Sequence, residues 1–306
     1  MADDKQVRVI LWCVPRTVST AFAKCMSNLD DVQIINEPYV SAFIRGPEMF
    51  QPSLAKNQVK IMAKTSQVDL GFDAGWETDK ATYKSIKENV LMAEYPDKKV
   101  VFVKDMAYGI AWKLHMLPEG YRHAFLIRNP VKVFLSWKKV LEKVGKVHEC
   151  EYPLENNNNL TSEKYFFGES FQLYEHLVKT GIEPNPVIID SDDLLENPEF
   201  ILREFCKRTG IQYKDELLSW NAGDSVVQKW KFSKHFMKGN QLSGYYNNAF
   251  ASQSFYKSNP PADRADLQED VKICVEASMP YYEKMYALRL HEKKAIIILL
   301  WDFKKC

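Results

Sequence analysis

The stretch V-R-V-I-L-W-C-V at residues 7–14, then P-R-T-V-S-T at 15–20 and A-F-A-K-C-M-S-N-L at 21–29, decides how this chain is read. The eight apolar-rich residues predict a buried strand. Ala21, Phe22, Cys25, Met26 and Leu29 recur at helical spacing. The polar turn between them carries Arg16 and three hydroxyls, on Thr17, Ser19 and Thr20. Strand, tight turn and helix in that order make an anion site, because the first N–H groups of a helix lack intrahelical partners and point into the turn. The hydroxyls add donors, and the planar guanidinium suits phosphate or sulfate oxygens. The turn is not the G-x-x-x-x-G-K-[ST] nucleotide loop, having neither glycine nor lysine. Its alternative is an ordinary capped connection with a solvated arginine.

With 306 residues and 46% hydrophobic content the chain is globular, with ample core. A net charge of +1, from 41 basic and 40 acidic residues, argues against nucleic-acid or membrane-surface binding, since either needs a basic field. Six scattered cysteines form no C-x-x-C pair, and Cys13 and Cys25 read as small core residues. The triplet Asn159-Leu160-Thr161 matches a glycosylation acceptor, but the charged start M-A-D-D-K-Q has no signal-like apolar run. The longest apolar run, A-I-I-I-L-L-W at 295–301, is short for a membrane span and reads as a docking strand or helix, or as a homodimer edge. A reduced, soluble, cytoplasmic protein is expected.

Further along, 32–36 predicts a second strand ending at Glu37, which Pro38 biases to an extended conformation. Residues 40–76 read as loops and short helices over the sheet edge. Thr78 is an N-cap candidate for a helical stripe through Tyr83, Ile86, Val90 and Leu91. A third strand over 99–103 delivers Lys104, Asp105 and Met106 to the same edge, and a helix-like stretch reaches about Leu117. A fourth strand over 123–127 ends in Arg128-Asn129-Pro130, and a helix follows. Residues 145–162, with N-N-N-N, read as a surface insertion. A helix over 165–178 and a fifth strand over 187–189 come next. Asn197, Pro198 and Gly210 mark the start and stop of another helix. Residues 211–262 read as a long loop region; a helix from about Pro261 to Ser278 stops at Pro280, and another short one follows. No repeat or linker divides the chain, so 1–306 reads as one domain with loop or lid insertions near 40–76, 145–162 and 220–262. Strands alternating with helices predict a parallel sheet covered on both faces.

Three motifs resemble the sulfotransferases that use 3′-phosphoadenosine 5′-phosphosulfate (PAPS). P-R-T-V-S-T stands where that family has P-[KR]-S-G-T-T, the loop that holds the 5′-phosphosulfate. R-N-P-V-K-V-F-L-S at 128–136 matches its R-N-P-x-[DE]-x-x-x-S, whose Arg and Ser, here Arg128 and Ser136, hold the 3′-phosphate. D-D-L-L-E-N-P-E-F-I-L at 192–202 resembles a third marker. The resemblance implies a three-layer α/β P-loop NTPase-like fold, PAPS as co-substrate and no metal; the six histidines show no ligand spacing either. It implies that Arg16, Thr17, Val18, Ser19 and Thr20 bind the 5′ end, and that Lys238 and Gly239, in a partial match to a late R-K-G motif, add to the 3′ site. Valine in place of the loop glycine implies that position 18 needs no positive φ.

The family's K-T-H strand end reads Lys104-Asp105-Met106 here, so its catalytic histidine is absent. Arg16, with Lys104, would stabilise the leaving phosphate. Glu37 is the first candidate base, as other branches use a Glu after the second strand; Asp105 and His115 are the other two. The expected reaction is in-line sulfuryl transfer to a hydroxyl or amine of a small-molecule acceptor. A non-catalytic nucleotide-binding protein of the same fold and an ATP-using phosphotransferase are the alternatives.

Overall fold

The computed structural model of the chain describes residues 6–48, 64–77, 80–148, 154 and 166–292. β1 (Val7–Cys13) runs through a seven-stranded sheet, with β4 (Val100–Met106) and β5 (Arg122–Ile127) as its neighbours. β2 (Val32–Asn36) lies beyond β4, and β6 (Val187–Asp190) beyond β5. Two strands that sequence periodicity did not predict extend the β2 side: β7 (Lys231–Ser233) pairs with β2, and β3 (Gly75–Trp76) with β7. Every pairing is parallel. Strands buried on both faces read as continuous apolar runs, which is why β1, β2, β4 and β5 stand out in the sequence and the short β3 and β7 do not.

Helices cover both faces. Phe22 of α1 (Ser19–Met26) stacks on Phe102 of β4 and meets Phe205 edge-on at 5.1 Å. On the other face Trp12 donates to His123 Nδ1 at 2.9 Å and stacks on Tyr39 of α2 (Pro38–Arg45). A short α3 (Tyr83–Ile86) packs beside α2. Phe125 meets Tyr174 of a helix on that same face. α4 (Pro130–His148), α5 (Phe167–Thr180), α6 (Ser191–Glu196), α7 (Pro198–Thr209), α8 (Lys234–Ser243), α9 (Asn247–Ala251) and α10 (Glu269–Tyr286) complete the helices used below. Tyr174 lies on α5, and Phe205 lies on α7. Asn197 and Gly210 bound α7 as expected: the Asn197 side chain accepts from Phe200 N, and Gly210 is left-handed.

Several expectations are corrected. Val18 has φ 55° and Arg16 φ 65°, although neither is glycine. The turn must join β1 to α1 in five residues, and it is tied down by Thr17 Oγ1 donating to Val14 O and by Ser191 Oγ donating to Thr17 O, each at 2.9 Å. Glu37 is left-handed (φ 55°, ψ 47°) rather than extended. Its N–H bonds Lys104 O at 2.7 Å while its carbonyl accepts from Ser41 N, so one residue turns the chain from β2 into α2. Lys104, Asp105 and Met106 belong to β4 itself. The stretch after them is two single 3-10 turns, Ala107–Gly109 and Leu114–Met116, rather than a helix. Thr82 caps α3, accepting from Ser85 N; Thr78 lies outside the described residues. The region 211–262 holds a strand and two helices, and α10 continues through Pro280 to Tyr286. Most of 145–162, and 295–301, lie outside the described residues.

Gly109 lets α2 approach the 3-10 turn that follows β4. A Cβ there would lie 2.8 Å from Val40 N and 3.0 Å from the Tyr39 carbonyl carbon. Gly109→Ala is therefore expected to cost about 1–3 kcal/mol, as overpacking against rigid backbone does. Urea unfolding measures this, and an unchanged midpoint would show that α2 shifts without cost.

Candidate active site

Parallel sheets gather the ends of their strands at one edge, and ligands bind outside that edge. Here the residues after β1, β2 and β5 and the last residues of β4 meet around a cavity of about 520 Å³. Arg16, Val18, Ser19 and Thr20 line it from the first turn, Glu37 from the second strand end, Lys104 and Met106 from β4, and Arg128 from the fourth strand predicted by sequence. Ser136 lines it from α4, two turns in.

The turn end is an anion cradle. The first intrahelical bond of α1 runs from Phe22 N to Val18 O, so the N–H groups of Ser19, Thr20 and Ala21 precede it and lie at the cavity wall. Arg16 Nε donates to Ser136 Oγ at 3.0 Å, and Arg16 Nη1 to Tyr245 O at 3.2 Å. Arg128 Nη1 donates to Arg16 O at 3.0 Å, and its Nε lies 3.8 Å from Asp192 Oδ1. Burial, and then the charge of Arg128, hold the Arg16 guanidinium below the usual arginine range; burial lowers Arg128 as well. Two desolvated like charges thus face one cavity, an arrangement that a multiply charged anion relieves.

The second centre is Glu37. It ion-pairs with Lys104 through Oε1, and both side chains are buried. Its Oε2 accepts from Tyr246 Oη at 2.9 Å. Period-two alternation explains the division of labour along β4. Lys104 points to the cavity, and the next residue, Asp105, points to the opposite face. There the fully buried Asp105 carboxylate accepts from Tyr39 N at 2.7 Å, Val40 N at 3.3 Å and Met106 N at 2.9 Å. Asp105 is the cap of α2, reached from a neighbouring strand, and does not line the cavity.

Other candidates also fall outside. His115 is exposed on a 3-10 turn rather than half-buried on a helix. Thr17 is fully buried and spends its hydroxyl on the turn. Lys238 and Gly239 lie within α8 and, unlike Phe236, do not line the cavity. Sequence reasoning missed Tyr246, Asp192 beside Arg128, and the buried Lys24 on α1, whose ammonium donates to Phe250 O and Ser252 O. Those bonds fix the wall holding Ser252, Phe255 and Tyr256 to α1. No spacing rule singles out Tyr246 among its aromatic neighbours. Among the described residues, no group of three or more His, Cys, Asp and Glu side chains is placed to hold a metal ion, and no helix is long and apolar enough to cross a membrane.

Residues 167–289 match the family model described as a sulfotransferase domain. The matched span holds Asn197 and Tyr246, whereas the turn and Arg128 precede it. The chain is 24% identical to branched-chain-amino-acid aminotransferase-like protein 2 of Arabidopsis thaliana over 288 residues, 92% of this chain and 41% of that protein. It is also 24% identical to the like-named protein 1 of the same plant over 292 residues, 94% of this chain and 42% of that one. It thus spans about two-fifths of the length of those relatives. Solved structures similar to it include the sulfotransferase domain from the curacin biosynthetic pathway, with 17% identity, 89% of this chain and 97% of that one covered, and a TM-score of 0.45. Another is the sulfotransferase domain of the Synechococcus PCC 7002 olefin synthase, at 13% identity, 95% and 98% coverage, and a TM-score of 0.47.

Burial pushes the Asp105 carboxyl up to about 7, against the pull of its three N–H donors. The folded state then binds this proton more tightly than the unfolded chain, where an aspartate titrates near ~3.9. The stability so contributed is fully present below about pH 4 and is lost as pH rises towards 7. The stability of the wild type relative to Asp105→Asn is expected to fall by about 2–3 kcal/mol between pH 5 and pH 8, at ~1.4 kcal/mol per unit. Urea unfolding of both proteins at both pH values measures it, and a constant difference would contradict it.

Proposed function

We propose that this chain is a PAPS-dependent sulfotransferase that moves a sulfuryl group to a hydroxyl or amine of a small acceptor. The observation that carries the reading is the pair of half-buried arginines, Arg16 and Arg128, lining one cavity at the N-terminus of α1 together with Glu37. A donor with phosphates at both its 3′ and 5′ ends matches two cationic subsites better than a single phosphate does. In this reading the N–H groups of Ser19, Thr20 and Ala21 and the Arg16 guanidinium take the 5′ end, and Arg128 with Ser136 takes the 3′-phosphate. Thr17 supports the turn from behind.

The donor supplies an activated sulfuryl group attached to its 5′-phosphate. Glu37 accepts the proton of the acceptor O–H or N–H as the acceptor atom bonds to sulfur. The sulfur–oxygen bond to the 5′-phosphate breaks, and its electron pair leaves on that phosphate. Arg16 and Lys104 stabilise the charge gathering there, in a site already ordered to receive it. Val40, Ile44, Trp137, Val140 and Val144 give the rest of the cavity an apolar wall, which suits an acceptor whose non-reacting body is apolar.

Adenosine 3′,5′-bisphosphate is expected to raise the melting temperature of the wild type by mass action, and Arg128→Ala to abolish most of the rise. A response to ATP–Mg²⁺ in its place would move the reading to a phosphotransferase. Glu37→Gln is expected to keep bisphosphate binding while losing about 10²–10⁴-fold in turnover, the usual worth of a positioned base. Full turnover in that variant would remove Glu37 from the role.

A further inference from the structure

Glu37 has both oxygens occupied: Oε1 by the Lys104 ammonium and Oε2 by the Tyr246 phenol. Only one of these partners is a charge that incoming anionic groups would attract. Lys104 lines the same cavity as the anion cradle, so a bound phosphosulfate competes with Glu37 for it. Tyr246 is neutral, and burial pushes its phenol well above the usual range, so it stays protonated and keeps donating.

The position of Tyr246 is also fixed independently of Glu37. Its backbone N–H donates to Asn240 Oδ1 at 2.7 Å, and its ring packs on Phe232 at 6.1 Å, Phe250 at 5.8 Å and Tyr245 at 4.5 Å. Phe232 lies in β7, the strand paired with β2, so the ring rests on the sheet that carries Glu37. The phenol is 7% exposed and has a direct line to the carboxylate.

We infer that Tyr246 is the positioning residue for Glu37: its hydroxyl holds Oε2 in place while Lys104 exchanges from Oε1 to the donor, leaving Oε1 open to the acceptor proton. The inference rests on the reading of Glu37 as the base. The charged and titratable groups that feel the charge of Glu37 are Lys104 of β4, Asp105 from the far face of that strand, Cys13 of β1, Arg16 of the turn, Tyr108 beyond β4, and Tyr245 and Tyr246 before α9. Of these, Tyr246 gives Glu37 a neutral hydrogen-bond donor at 2.9 Å.

The test uses whole protein carrying carbon-13 at its glutamate carboxyls, with the Glu37 signal assigned by its loss in Glu37→Gln. NMR titration with adenosine 3′,5′-bisphosphate bound is expected to show the Glu37 midpoint about one pH unit higher in Tyr246→Phe than in the wild type, since a donor to the charged form has gone. Tyr245→Phe, whose hydroxyl donates to Phe236 O instead, is expected to leave the midpoint in place. Bisphosphate affinity, read by calorimetry, is expected to stay within about threefold in Tyr246→Phe, because no phosphate contact is assigned to that hydroxyl. An unmoved Glu37 midpoint in Tyr246→Phe overturns the inference. So does an equal shift in Tyr245→Phe, which would mark a general disturbance of the wall, or a lost bisphosphate affinity, which would make Tyr246 a ligand. Failure of the base reading shows separately, as full turnover in Glu37→Gln.

Discussion

The buried ion pair between Glu37 and Lys104 is the contact on which the rest of the site depends. Taking two charges out of water costs several kcal/mol per ion, so such a pair persists only with close geometry and further hydrogen bonds. Both conditions follow from the sheet. Asn36 and Lys104 are register partners in neighbouring parallel strands, and Glu37 N bonds Lys104 O, so the two side chains leave adjacent strand ends on one face. Tyr246 then satisfies the remaining carboxylate oxygen. One residue further along β4, Asp105 caps α2 from the other face. Consecutive residues of a single strand therefore hold the two ends of one turn, and α2 cannot move without disturbing the carboxylate.

The same economy explains where the backbone is strained. Among the described residues, the non-glycine positions with positive φ are Arg16, Val18, Glu37 and Phe166, and three of these four line the cavity. Each such residue costs on the order of 1–3 kcal/mol, most for a β-branched side chain like Val18, and persists only where its surroundings over-determine it. Thr17, held by Val14 and Ser191, supplies that restraint between Arg16 and Val18. The hydrogen bond from Lys104 O supplies it at Glu37. Strain here is the means of aiming N–H groups and a carboxylate at one volume.

What the sequence revealed was what is local. The strand, turn and helix over 7–29, the second strand ending at Glu37, and the start and stop of α7 each depend on neighbours a few residues apart. Arg128 and Ser136 were singled out through the motif resemblance, and both line the cavity. The αL conformation of Val18 and Glu37 was not, because residue type argues against it and only tertiary restraint imposes it. Asp105 misled for a related reason. As a carboxylate at a strand end it resembles a base, and only the parity of β4 sends it to the far face. Tyr246 is separated from Glu37 by 209 residues, and no local pattern reports a partner at that distance.

That separation also sets a timetable. The edge of β2 is closed by β7, where Ile35 meets Lys231 and Asn36 meets Phe232. A growing chain emerges at about 5–20 residues per second, so β2 waits roughly ten to forty seconds for the strand that covers it. Until then a ribosome-bound intermediate carries a bare apolar strand edge, the kind that pairs with other chains. The late placement of β7 thus makes refolding from denaturant more demanding the more concentrated the solution.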